Sequence, residues 1–571
     1  MAILRLRQIV AVLLIQAIAL PVMAEGLSGS YLAGRQARYL NDFDAVARYY
    51  TRAVTRDPGN PVLLETAAMA LLSLGEIDRA VPIARKLAAD GTNSQVGNIV
   101  LVADEGVRGA FDEILQRGDD KGGVGPLVDG LMLGWAHMGK GDMTAALNEF
   151  AEVAKERGLT GFANYHKALA LASVGDFEGA EAIYAAQEAG PMQMTRRGAV
   201  AHIEVLSQLE RGGDAIALMD TLFGTDLDPG LREMRAALEA GKALPFSVVR
   251  DAREGLAEVF YSVGAALSNE AEDDYTLLYV RAAEYLRPDH EDAILLSAQL
   301  LDQLDRFELA VTTYGRVPRD SYAFHAAELG RAEALRRSGK TDAAVEVLSQ
   351  LSQTHGDIAL VHVTMGDLMR QLDRNAEAVA AYDRALALHP EEDPAQWFIY
   401  YARGICYGQL DKWPESEGDF RTALRLNPEQ PQVLNYLGYS LVEKQEKLDE
   451  ALGMIERAVA AQPDSGYIVD SLGWVLYRLG RYGEAIGHME RAAELMPVDP
   501  IVNDHLGDVL WSVGRRLEAE FHWKRALSFI DGGESAEDAD PDRIRRKLEV
   551  GLDQVLSDEG APPLKLVNGE N

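Results

Sequence analysis

Only one of the 571 residues is a cysteine, Cys406, so neither an intrachain disulfide nor a thiolate metal cage is open to this chain. Positive charge is scarce as well. Lys and Arg number 56 against 89 Asp and Glu, for a net charge of −33, and no basic run forms the clustered surface that tracks phosphates. Nucleic acid is thereby excluded as a partner. The acidity serves solubility first and would attract a basic partner second. Proline is sparse at 21 residues, and the abundant Ala and Leu favour helix over sheet. Catalytic signatures are also missing. The eleven His are scattered, with no HExxH spacing, and Ala201-His202-Ile203-Glu204 lacks the cysteines of a zinc deaminase. Gly122-Gly123-Val124-Gly125 lacks the Lys-Ser/Thr of a phosphate loop, and no G-x-S-x-G elbow occurs. The expectation is a non-enzyme with no cofactor and no metal.

What is present begins with an address. Residues 1–24 read as a secretory signal: Arg5 and Arg7 precede the uncharged apolar run from Ile9 to Leu20, and Val22-Met23-Ala24 offers a cleavage site before Glu25. The run is shorter than the roughly 20 residues of a membrane span. A periplasmic mature chain is expected, with an uncleaved inner-membrane anchor as the alternative. No cysteine follows the apolar run, so a lipid anchor there is excluded.

The rest repeats with a period of 34. Counting from Leu472-Gly473, large or small landmarks fall at Leu476, Gly480, Tyr482, Ala485, Met489, Ala492 and Pro497. A shift of 34 gives Leu506-Gly507, Leu510, Gly514, Ala519, Trp523 and Ala526. The frame runs back through Gly438 (with one residue inserted near Glu446), Gly404, Gly366, Ala332, Ala298 and Gly264. Looser units follow Gly34, Ala68, Gly134 and Ala168, with degenerate ones near 95–122 and 198–230. Small residues mark where paired helices approach, large apolar ones fill between them, and Gly or Pro turns the chain. One unit cannot bury its own apolar face, so stability comes from stacking neighbours.

This pattern resembles the tetratricopeptide repeat (TPR) superfamily. The fold class expected is all-α, a right-handed superhelical solenoid of about fourteen helix hairpins. Its expected divisions are a signal at 1–24, a degenerate array at 25–233, an interruption or hinge at 234–255, a second array at 256–533, and an acidic linker, capping helix and tail at 534–571. Within that last part Pro541–Leu556 reads as one amphipathic helix, with Ile544, Leu548, Leu552 and Val555 on one stripe capping the last repeat. The stretches Asn435–Ser440, Asp470–Arg478 and Asn503–Trp511 resemble proteobacterial envelope TPR adaptors, such as the lipoprotein adaptor of the carboxy-terminal processing protease. That resemblance implies recruitment of an envelope protease and its substrates, without the lipid-bearing cysteine.

In such a stack the first helix of each hairpin lines a concave groove. The candidate partner-binding residues there are Tyr401, Asn435, Tyr439, Asp470, Trp474, Tyr477, Arg478, Asp504, Asp508 and Trp511, with Phe398 and Glu443 beside them. Aromatics among Asn, Asp and Arg suit capture of an extended peptide or a partner helix. The alternative is that Trp474 and Trp511 pack against the next helix while the acids solvate the groove. The function expected is a scaffold or adaptor binding proteins or peptides. An assembly factor for an outer-membrane export machine, or a glycan-binding envelope protein, is the alternative.

Overall fold

The computed structural model describes residues 27–119, 123–186, 195–224, 227–388, 393–531, 539–561 and 563–564; the expected signal lies outside them. The described residues are helical throughout, with no strand among them. They form two compact units, Met1–Leu351 and Ser352–Asn571.

The first unit opens with six hairpins: α1/α2 (Leu27–Tyr39, Phe43–Val54), α3/α4 (Pro61–Ser73, Ile77–Ala89), α5/α6 (Gln95–Arg108, Phe111–Asp119), α7/α8 (Pro126–Gly139, Met143–Val153), α9/α10 (Thr160–Ser173, Phe177–Ala186) and α11/α12 (Arg196–Gln208, Gly212–Phe223). A lone helix α13 (Pro229–Glu239) precedes α14/α15 (Ala252–Leu267, Asp273–Leu286), α16/α17 (Glu291–Gln303, Phe307–Tyr314) and α18/α19 (Phe324–Arg337, Thr341–Thr354). The second unit holds α20/α21 (Ala359–Gln371, Asn375–Leu388), α22/α23 (Trp397–Gln409, Trp413–Leu426), α24/α25 (Pro431–Glu443, Leu448–Ala461), α26/α27 (Gly466–Arg478, Tyr482–Leu495) and α28/α29 (Pro500–Ser512, Arg516–Asp531). Two short helices, α30 (Pro541–Val550) and α31 (Leu552–Asp558), close it. The described residues thus carry the fourteen hairpins that the spacing predicts.

Local chemistry sets the boundaries. Asn60, Asp228, Asp499 and Asp540 each cap a helix whose next residue is proline, and each side chain accepts a backbone N–H of the first turn. Within hairpins the chain turns through one left-handed residue, Gly480 and Gly514 in the last two repeats. Asp373 and Asp411 take the same conformation where glycine is missing. The residue inserted near Glu446 is absorbed by two left-handed positions in one turn, Gln445 and Lys447.

The small landmark of each first helix meets the large residue of the second. A Cβ on Gly366 would lie 2.6 Å from Tyr382, and one on Gly404 2.8 Å from Phe420. Gly507 is likewise closed against Trp523, which is fully buried.

Two features depart from a simple neighbour-on-neighbour stack. In the first unit α14 packs on α5, α7 and α9, and α15 on α3 and α5, so the hairpin after the interruption folds back onto much earlier repeats. Both helices are buried along most of their length. Tyr165 donates to Glu258 at 2.8 Å, Arg197 pairs with Glu258 at 2.8 Å, and the Arg281 Nε donates to the Ser73 carbonyl at 3.1 Å. Burial alone would raise the Glu258 carboxyl, but Arg197 and His290 hold it well below the usual carboxylate range. The 240–251 strap leading into α14 is pinned in turn, with Ser247 donating N–H and hydroxyl to Glu204 at 2.8 and 2.6 Å. By compactness the chain divides after Leu351.

The second departure is the cap, which is two helices and not one. Gly551 breaks it in a left-handed conformation where a Cβ would lie 2.7 Å from Trp511. Ile544, Leu552 and Val555 are buried as their stripe predicts.

Candidate functional site

In the second unit α24 packs beside α26, and α26 beside α28, which places the first helices of consecutive repeats side by side. The period carries equivalent residues onto neighbouring helices. Asn435, Asp470 and Asp504 hold one position on α24, α26 and α28, and Tyr439, Trp474 and Asp508 hold the position one turn later.

The α28 pair is occupied by the chain itself. The Lys547 ammonium of α30, fully buried, lies 2.8 Å from both Asp504 oxygens and 2.6 Å from Asp508 Oδ1. Asp508 Oδ1 also accepts the Trp523 indole N–H at 2.9 Å. Burial and the neighbouring Asp508 push the Asp504 carboxyl up, against the pull of Lys547. Trp511 is half-buried and donates its indole N–H to Asp553 of α31 at 2.9 Å. Three of the ten candidates therefore serve the cap.

On α26 the side chains form a stack. Trp474 lies between Tyr477, with ring centroids 4.8 Å apart, and His505 at 3.9 Å, and only 9% of its surface is exposed. Its indole N–H donates to Glu443 at 2.7 Å, and Glu443 also pairs with Arg478 at 3.2 Å. His505 Nδ1 lies 2.9 Å from Asp470 Oδ2. Burial opposes a charged His505, but Asp470 outweighs it and raises the imidazole above its ordinary value. Asp470 Oδ1, and Asn435 Oδ1 on the neighbouring helix, are buried with no hydrogen-bond partner among the described residues. Tyr477 is buried; Arg478 and Tyr439 are half-buried.

Tyr401 on α22 extends the same face. It packs against Phe420 at 6.1 Å and edge-on to Tyr436 at 6.2 Å, and burial pushes its phenol up to about 12. Phe398 and Tyr467 are exposed large rings on α22 and α26.

Sequence reasoning missed Lys547 and His505. The signal for Lys547 was available, since it shares the buried stripe with Ile544 and belongs to Arg543-Ile544-Arg545-Arg546-Lys547, a basic run in an acidic chain. His505 carried none, because its partner lies one repeat earlier.

The tetratricopeptide repeat family model matches residues 31–94, 131–192, 363–431, 401–465 and 441–500. The TPR repeat-containing protein PA4667 of Pseudomonas aeruginosa is 26% identical over 159 residues, which cover 28% of this chain and 26% of that protein, so the match spans about a quarter of the relative's length. Among solved structures, the Cut9–Hcn1 hetero-tetramer of APC/C has a chain 14% identical at a TM-score of 0.38, covering 93% of this chain and 97% of that one. YrrB, described as a TPR protein with an unusual peptide-binding site, is 21% identical at a TM-score of 0.27, covering 33% of this chain and 95% of that one.

Proposed function

Since the chain belongs to the tetratricopeptide repeat superfamily, we propose that it is a non-catalytic scaffold that seats segments of partner proteins on the face built by α22, α24 and α26. The TPR fold supports a protein-binding role. The observation that carries the site is the exposure of two large rings on its first helices, Phe398 on α22 and Tyr467 on α26. Exposed aromatics supply contact area for a partner segment.

The charged, then apolar, start of the sequence supports export, and the mature protein acts in the periplasm on this reading. Delivery of substrates to an envelope protease is the role that the C-terminal motifs favour.

A photoreactive residue placed at Tyr467 tests the groove, with a second placed at the exposed Arg491 on α27. Crosslinks to a partner from Tyr467 but not from Arg491 are expected. Equal labelling from both, or none from either, refutes the site. Fractionation with N-terminal sequencing tests export; a mature start at Glu25 in the periplasm is expected, and a cytoplasmic full-length chain refutes it.

A further inference from the structure

α1 has one face that the repeat core does not use. Gly34 and Ala37 turn inward, with Gly34 closed against the Tyr50 ring of α2. The opposite side holds large apolar groups in solvent: Tyr31, Leu32, Tyr39 and Leu40 are 38%, 62%, 83% and 53% exposed. Val62 at the start of α3 is 58% exposed and lines one cleft with Ser28 and Tyr31, so the patch runs onto the next repeat. Arg35 lies three residues after Leu32 and four before Tyr39, and Arg38 lies seven after Tyr31, so both cations share this side of the helix. Both are exposed. Burial and Tyr31 raise the Tyr50 phenol while Arg38 and Arg35 pull it down, which sets the two cations near the Tyr31 ring, 6.1 Å from that of Tyr50.

Charge on α1 runs against the rest of the chain. The helix carries two arginines and no acid in a protein of net charge −33, and neither arginine has a carboxylate partner among the described residues. α29 offers the contrast. Leu517 and Phe521 are exposed there too, but Arg515 pairs with Glu518 and Lys524 with Glu520 beside them. We propose that α1 docks the chain on an anionic lipid bilayer, with Leu32 and Tyr39 entering the headgroup layer and Arg35 and Arg38 meeting lipid phosphates.

The chemistry of the patch selects this partner. Tyrosine has an apolar ring and a polar tip, which suits the boundary between acyl chains and water. Arginine lays its stem along apolar surface while its head reaches phosphate. A helix face of this kind binds through apolar area together with attraction to anionic headgroups. At physiological salt the Debye length is about 8 Å, so acids farther off on the chain are screened and the two local cations decide. α1 also begins seven residues after Leu20, where the apolar run of the expected signal ends, so export on the reading above brings it to a bilayer surface first.

Flotation of the full mature chain with vesicles tests this, using phosphatidylcholine alone or mixed in equal parts with phosphatidylglycerol. Binding to the mixed vesicles is expected to be at least about tenfold tighter than to the neutral ones. Arg35→Gln with Arg38→Gln is expected to lose about tenfold or more on the mixed vesicles, and Leu32→Ser with Tyr39→Ser a similar amount. Arg491→Gln, an exposed change on α27, is expected to leave binding unaltered. All four changed positions on α1 face solvent, so the hairpin keeps its fold, which unchanged circular dichroism verifies. Absence of binding, equal binding to both vesicles, or indifference to the arginine pair overturns the proposal. So does a dimer in sedimentation that Leu32→Ser with Tyr39→Ser abolishes while no vesicle is bound, because the face then belongs to a second copy. The groove stands or falls separately, by crosslinking from Tyr467.

Discussion

Replacing Gly255 by alanine discriminates sharply between a hairpin that is docked and one that is merely next in line. In an exposed helix the change stabilises by about 1 kcal/mol, because glycine is the poorer helix former. Here a Cβ at 255 would fall within the indole of Trp135 on α7, a side chain with no exposed surface. Trp135 is not free to retreat. Its indole N–H donates to His166 Nδ1 at 3.1 Å, His166 Nε2 lies 3.1 Å from the Ser262 hydroxyl of α14, and Phe150 packs edge-on at 5.9 Å. Overfilling such a contact costs about 1–3 kcal/mol. Breaking the indole–imidazole hydrogen bond adds about 1 kcal/mol. The propensity gain is outweighed, leaving a net loss of about 1–3 kcal/mol. Hydrogen exchange read by mass spectrometry reports this locally, at roughly tenfold faster exchange per 1.4 kcal/mol. Peptides from α7 and α14 are expected to lose protection together, and Trp135→Leu in the same chain is expected to restore part of it. Slower exchange in α14 after Gly255→Ala would refute the docking of α14 on α7.

His166 is held neutral by burial, which lowers it to about 4 against the opposing charge of Glu258. The unfolded chain binds its proton near pH 6.5, so His166 is expected to contribute a loss of about 3 kcal/mol as pH falls from 6.5 to 4, beside that of His290, which burial also lowers, and His166→Gln is expected to make the slope in denaturant titrations shallower; an unchanged slope refutes it. Cys406 is fully buried and burial pushes its thiol up to about 11, so a thiol reagent at pH 8 is expected to label it only after denaturation. Prompt labelling of the native chain would count against the packing of α22.

The repeat was legible because its information is local. Each close approach, as Gly404 on Phe420 or Gly507 on Trp523, joins residues sixteen positions apart in one hairpin, and each cap sits on the helix it starts. The fold-back of α14 and α15 was not legible. Glu258, Arg281 and Glu284 read as ordinary charged helix residues, and what makes them interior is Arg197 and the Ser73 carbonyl, 61 and 208 residues away. The groove was half legible. Periodicity placed Asn435, Asp470, Trp474 and Asp508 on one face, but occupancy depends on which side chain arrives from elsewhere. Trp474 reads as an inward-facing ring and stands between Tyr477 and His505; Asp504 and Asp508 read as groove acids and hold Lys547.

The return of α15 to α3 changes what can be removed. A linear array tolerates loss of terminal units, since each leans only on the next. Here a truncation after Glu239 would strip the cover from α3, α5, α7 and α9 at once, baring Trp135, against which Gly255 packs, to solvent. Synthesis must also run past Leu286 before those early helices find their lid, so the amino-terminal third waits, unfinished and adhesive, for sequence that emerges much later.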